Sequence, residues 1–191
     1  MAFVASVTIV IALVLLALSG LPGHQAPASN QTLLGEKTIV FVGDQSGIAG
    51  ETLVILKARY SGPLVEITEL AGLSEAATKV NASSLVLFNS EWLVGKVGEV
   101  ALTDFFKSVL PTQVKIVALG GPTSLLFDAL EPARNGIFAE GRNPAYDNPQ
   151  LAGYALKQAT SPNGTISYGD TILIGYPESA LSAADSVSNW Q

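Results

Sequence analysis

The sequence predicts an α/β domain, a three-layer sandwich built on a mainly parallel sheet of about five strands, preceded by an apolar N-terminal helix. Three observations predict it. Short, continuously apolar, β-rich runs alternate with longer helical stretches from Lys37 onward. Such runs are the mark of strands covered on both faces, because right-handed crossovers lay helices over a parallel sheet. Turn residues, chiefly Gly and Pro, separate the runs at nearly every junction.

In chain order, residues 38–42 (TIVFV) read as a buried strand, followed by a Gly-rich turn and an amphipathic helix from about Ala49 to Arg59, with Leu53, Val54, Leu56 and Ala58 as its apolar residues. Gly62-Pro63 closes that unit, and residues 64–68 form the second strand. Ser74 is placed to cap a helix running to about Val80. Residues 84–88 (SLVLF) are the third strand, and a helix from about Val97 to Leu110 carries Val97, Val100, Leu102, Phe105, Phe106 and Leu110 on one face until Pro111 stops it. Residues 114–119 make the fourth strand; Pro122 opens a short helix through about Leu130. The segment 151–159 reads as helical, and residues 171–176 (TILIGY) as the fifth strand. A parallel sheet so covered is flavodoxin-like or Rossmann-like, and ligands of such sheets sit beyond the carboxyl ends of the strands.

Ahead of this domain lies a different kind of sequence. The first charged side chain is Glu36, and residues 2–18 (AFVASVTIVIALVLLAL) hold nothing more polar than one Ser and one Thr. That run has three readings: a secretory signal peptide cleaved after Ala17-Leu18-Ser19, an uncleaved membrane anchor, and a pilin-like helix packing in the core of a surface filament. Under each reading residues 31–191 are exported. Residues 1–19 are therefore assigned as the apolar helix, residues 20–36 as a flexible linker rich in Gly and Pro, and residues 37–191 as a single head domain. His24, the sole histidine, falls in the linker.

Composition narrows the chemistry. The 191 residues include no Cys, which excludes thiol catalysis and disulfide staples, and the net charge of -6 disfavours nucleic acid and anionic lipid surfaces as partners. The ten Lys and Arg are scattered along the chain. Three Asn-x-Ser/Thr sequons, at Asn30, Asn81 and Asn163, fall in expected connectors and are candidate glycosylation sites of an exported chain.

Candidate ligand-binding residues come from the strand ends: Gly43, Asp44 and Gln45 after the first strand, Asn89 after the third, Gly120 and Gly121 after the fourth. Asp44, Glu91 and Glu178 are the acids that could converge on a divalent cation, although solvated acidic loops are the simpler account and no metal site is assigned. The turn Gly43-Asp44-Gln45-Ser46-Gly47-Ile48-Ala49-Gly50 resembles the glycine-rich turn of short-chain dehydrogenases, which implies a nucleotide pyrophosphate at a helix N-terminus. That family's Tyr-x-x-x-Lys pair is replaced by Tyr154-Ala155-Leu156-Lys157, one residue shorter, and no Thr precedes the first Gly. A phosphate-binding P-loop is excluded because Glu51 stands where its Lys belongs before Thr52. The Gly43-Asp44-Gln45-Ser46 stretch also resembles the nucleophile turn of GDS-type esterases, but no His follows it to serve as base. A tight strand-to-helix turn explains the same glycines without any ligand.

A second resemblance spans residues 38 to about 158. The first strand, Gly43, a helix, Ser61-Gly62-Pro63 and a second strand, then residues 114–121 ending in Gly-Gly, a short helix, and Arg134 through Gly141-Arg142 to Tyr146 resemble the cell wall-binding repeat type 2 family. The spacing of Arg142 and Tyr146 departs from the family pattern. The resemblance implies a non-catalytic extracellular module that attaches to envelope polymer or to neighbouring surface proteins; self-association is a further expected partnership, and no cofactor is expected. Residues 131–150 form the longest irregular stretch, and Arg142, Asn143, Tyr146 and Asp147 are its candidate partner contacts. The expected function is thus a surface structural or binding protein, a subunit of a pilus-like filament or wall layer. The alternative is an exported nucleotide-binding or redox enzyme using the Gly43 to Gly50 turn.

Overall fold

The computed structural model describes residues 33–134 and 149–191. By internal contacts the chain divides into two units, Met1–Gln31 and Thr32–Gln191, a boundary that falls within the expected linker. The assignments at 1–19, Asn30, Arg142, Asn143, Tyr146 and Asp147 lie outside the described residues. Among those described, no helix is long and apolar enough to cross a membrane.

The second unit is a mixed α/β structure around one six-stranded sheet, in the order β2-β1-β3-β4-β5-β6. Strands β1 (Ile39–Val42), β2 (Leu64–Ile67), β3 (Leu85–Asn89) and β4 (Lys115–Leu119) are parallel to one another. The apolar runs of β1, β3 and β4 are buried almost end to end, as a sheet covered on both faces requires, while β2 at the edge buries only Ile67 fully. Alternate residues feed two cores. Val40, Val42, Val86, Phe88, Ile116 and Ala118 face one, while Ile39, Phe41, Leu85, Leu87, Val117 and Leu119 face the other.

Helix α1 (Gly47–Arg59) covers the second core through Ala49, Leu53 and Leu56. Val54, expected on its apolar face, is instead 64% exposed, because a helix packed along one stripe turns that position to solvent. The first core is covered by α2 (Leu73–Ala77), α3 (Ser90–Leu93), α4 (Val100–Val109) and α5 (Leu125–Arg134). Phe88 stands at its centre, with the rings of Trp92, Phe105 and Phe106 at 6.2, 6.2 and 5.6 Å. Two expectations shift here: α2 starts at Leu73 after a 3-10 turn, with Gly72 rather than Ser74 at its cap, and Val100 at the head of α4 is exposed.

The main correction concerns the last third of the domain. Residues 151–159, read as a helix, form strand β5 (Leu151–Thr160), antiparallel to β4. The expected fifth strand is the end of a longer sixth one, β6 (Ile166–Gly175), which pairs with β5 over ten positions in a hairpin. The segment LAGYALKQAT carries Ala, Leu and Lys, good helix formers, but pairing to the exposed edge of β4 outweighs that local preference. The sheet is therefore mixed. A C-terminal helix, α6 (Ala180–Asn189), for which the sequence suggested no element, packs beside α1; Ser179 and Ser182 form a reciprocal capping box at its start.

Candidate functional site: the cleft at the carboxyl ends of the strands

The carboxyl ends of β1, β3 and β4 and the amino end of β5 meet at one rim of the sheet, because β5 runs antiparallel. There an open cleft of about 420 Å³ lies between the first turn of α1 (Ser46, Gly47, Ile48, Ala49), Asn89, Glu91, Gly120, Gly121 and Gln150. It sits beside the point where the chain, having placed β2 on one side of β1, crosses to place β3 on the other.

Asn89 holds the cleft together. Its Nδ2 donates to the Asp44 carbonyl at 2.9 Å and to the Ser46 hydroxyl at 3.3 Å, and its Oδ1 accepts from the Glu91 amide at 3.1 Å. The side chain is only 5% exposed, so these bonds satisfy a buried amide and tie the β1–α1 turn to the end of β3. Ser46 caps α1 in an extended conformation but lends its first turn no side-chain hydrogen bond.

The glycines of the turn have steric reasons of their own. Gly43 has φ of 115°, and a Cβ there would come within 2.9 Å of the Cβ atoms of both Asn89 and Trp92. At Gly50 a Cβ would sit 2.4 Å from the backbone of Gln45, so the turn folds back on itself where only hydrogen fits. Trp92 completes the support: its Nε1 donates to the Thr68 carbonyl at 2.7 Å, with Lys96 4.7 Å above the ring.

Of the residues expected at the site, Asn89, Gly120 and Gly121 line the cleft, and Gly43 forms the turn beneath it. Asp44 and Gln45 are exposed on that turn and do not line the cleft. The acidic trio does not assemble. Glu91 borders this cleft, while Glu178 lies in a separate depression with Tyr176, Pro177 and Ser179, and no group of three potential metal-ligating side chains occurs among the described residues. Tyr154 and Lys157 fall on a strand, not a helix, with side chains on opposite faces, so no Tyr–Lys pair of the dehydrogenase kind forms. Gln150 is the lining residue that sequence reasoning missed. Its carbonyl accepts from the Gly120 amide at 3.0 Å and its amide donates to the Gly175 carbonyl at 3.2 Å, contacts that exist only because β5 is a strand.

Two sequons remain on display. Asn81 and Asn163 are exposed, the latter in the loop joining β5 to β6.

The cleft offers backbone amides at the first turn of α1, but the side chain that reaches in with charge is Glu91, and no Lys or Arg lines it. No protein-family model, curated protein or solved structure matches this chain.

Proposed function

We propose that this chain is a non-catalytic extracellular surface protein, a subunit of a pilus-like or wall-layer assembly, whose head domain associates with a second copy through the free edge of β6. The observation that carries this reading is that edge. Among the described residues β6 pairs on one side only, is ten residues long, and exposes Ile166, Tyr168 and Ile172 along one face, with Tyr176 just beyond. An unpaired strand presents a row of amides and carbonyls ready to template another strand, and edges are ordinarily blunted by brevity, Lys, Pro or bulges. The opposite edge of this sheet follows that practice: β2 has four residues, with Glu66 exposed. β6 has no Pro or Lys, and its single charge, Asp170, is engaged by Arg134 at 3.1 Å. Antiparallel pairing centred on Gly169 would set Ile166 across from Ile172 and Tyr168 across from Asp170 of the second copy, giving an isologous contact.

Two further features support this reading. The apolar run of residues 2–18 and its linker suit export and retention at a surface. In the domain, strand order β2-β1-β3-β4 with helices over both faces is the flavodoxin-like, doubly wound arrangement, extended by the β5–β6 hairpin at one edge. Where that arrangement usually holds a ligand, this chain has spent its Asn89 donors on its own turn and added Glu91.

Light scattering on the full chain in detergent tests the edge. Concentration-dependent association of the head is expected, and the Tyr168→Lys, Ile172→Lys double variant should abolish it while the head still unfolds in one cooperative transition. Association that survives the double variant removes the β6 edge from the reading. N-terminal sequencing of material from the cell surface, with electron microscopy, tests the assembly: a soluble monomer starting near Gly20 would overturn both the filament and the anchor.

The second reading, an exported nucleotide-binding or redox enzyme, is favoured by the first turn of α1 opening into the cleft. Titration with nicotinamide cofactors decides it, since the absence of saturable binding at millimolar ligand leaves it without support.

A further inference from the structure

At the opposite rim, the amino ends of the strands, the fold gathers three lysines that are far apart in sequence. Lys37 lies two residues before β1, Lys115 opens β4 and Lys157 projects from β5. Two are held by aromatic rings: Lys37 lies 4.9 Å from the centre of Tyr60, and Lys115 lies 5.6 Å from that of Trp190 while donating to the Trp190 carbonyl. Beside them is an open cleft of about 360 Å³ lined by Lys115, Lys157, Gln113, Gln158 and Gln191.

Two independent features set this cleft apart. Among the described residues Gln113 is the one non-glycine with positive φ, at 62°, and it is held there as its Oε1 accepts from the Gln158 amide at 3.2 Å. That conformation is the left-handed cap of the 3-10 turn at residues 110–112, and from it the Gln113 side chain reaches β5 at the cleft wall. The electrostatics agree. The Lys115 ammonium is pushed below its ordinary value first by burial and then by the like charges of Lys37 and Lys157. In a chain of net charge -6, a like-charged cluster of this kind is a local liability that a bound anion would relieve.

We infer that the cleft between Lys115, Lys157 and Gln113 binds an oxyanion, the phosphate or carboxylate group of an anionic ligand. Lysines contribute as point charges and the glutamine amides as hydrogen-bond donors. This inference is independent of the β6 edge and of the cleft at the other rim.

The test is calorimetric titration of the full chain in detergent with inorganic phosphate in one arm and citrate in the other. Saturable binding in either arm is expected, weakening as NaCl is raised because exposed charges are screened. Response to phosphate alone assigns a phosphate group, and response to citrate alone assigns carboxylates. Lys157→Gln, at an exposed position, should weaken binding about fivefold at constant stability, the scale of one charge pair in water. Lys115→Gln should weaken it at least as much, whereas Lys96→Gln, beside Trp92 at the opposite rim, should leave it unchanged. No saturable binding in either arm, or binding indifferent to both Lys157→Gln and Lys115→Gln, overturns the inference. Light scattering on the same samples reads self-association separately, so the two proposals fail independently.

Discussion

The four parallel strands and the β5–β6 hairpin belong to one sheet yet are built on different terms. β1 and β3 are buried at every position. β5 is buried over its first six residues and exposed over its last four, and β6 has no buried residue at all. The hairpin therefore begins as core and ends as surface. In β1, β3 and β4 the side chains pack into one of two covered cores; toward the tip of the hairpin, among the described residues, they are exposed and pairing across the ladder holds the strands.

That contrast can be broken first at its strong end. Phe88→Ala empties the space shared with Trp92, Phe105 and Phe106 and is expected to cost about 4 kcal/mol, read as a shift in urea midpoint. Ile172→Ala, at a position 38% exposed, should cost well under half of that, and equal losses would show that the hairpin is as tightly packed as the core. Next comes the turn. Gly43→Ala meets both positive φ and two close Cβ contacts, and a loss of about 2 to 3 kcal/mol is expected, with Asn89 displaced.

A pH scan sharpens the boundary between the halves, where Tyr154 of β5 is buried against the guanidinium of Arg134, 4.7 Å from its ring. Burial raises its phenol to about 12 from an ordinary 10.0; Arg134 opposes the rise and Asp170 adds to it. The folded state thus holds this proton more tightly than the unfolded chain. The resulting stability is complete below about pH 10 and is lost as pH climbs toward 12, a change on the order of 2 kcal/mol. Tyr154→Phe should show a shallower decline over the same interval; an identical decline would place the titrating group elsewhere.

Legibility in the sequence followed the same division. The runs TIVFV, SLVLF and the strand before Gly120-Gly121 announced themselves because a doubly covered strand needs apolar residues at consecutive positions, a pattern visible without neighbours. LAGYALKQAT did not, because its identity depends on the free edge of β4, which is 32 residues earlier in the chain than Leu151 if counted from Leu119. With β5 misread, Gln150 could not be placed at the cleft. Asn89, Gly120 and Gly121 could, since strand ends are where parallel sheets collect loops. The ten basic residues looked scattered for a similar reason: Lys115 and Lys157 become neighbours only when β4 and β5 pair, with Lys37 on the same rim across β3.

By itself the sequence determined the uncharged apolar run at residues 2–18, the absence of thiol chemistry and a parallel β/α core, all properties of local composition and spacing. Tertiary structure alone decided that the sheet would be mixed, that Asn89 would serve its own turn, that β6 would be left as an open edge among the described residues, and that Lys115 and Lys157 would share a cleft. The physical reason is common to all four: each is set by pairing between segments distant in the chain, whose free energy exceeds the local preferences that the sequence displays.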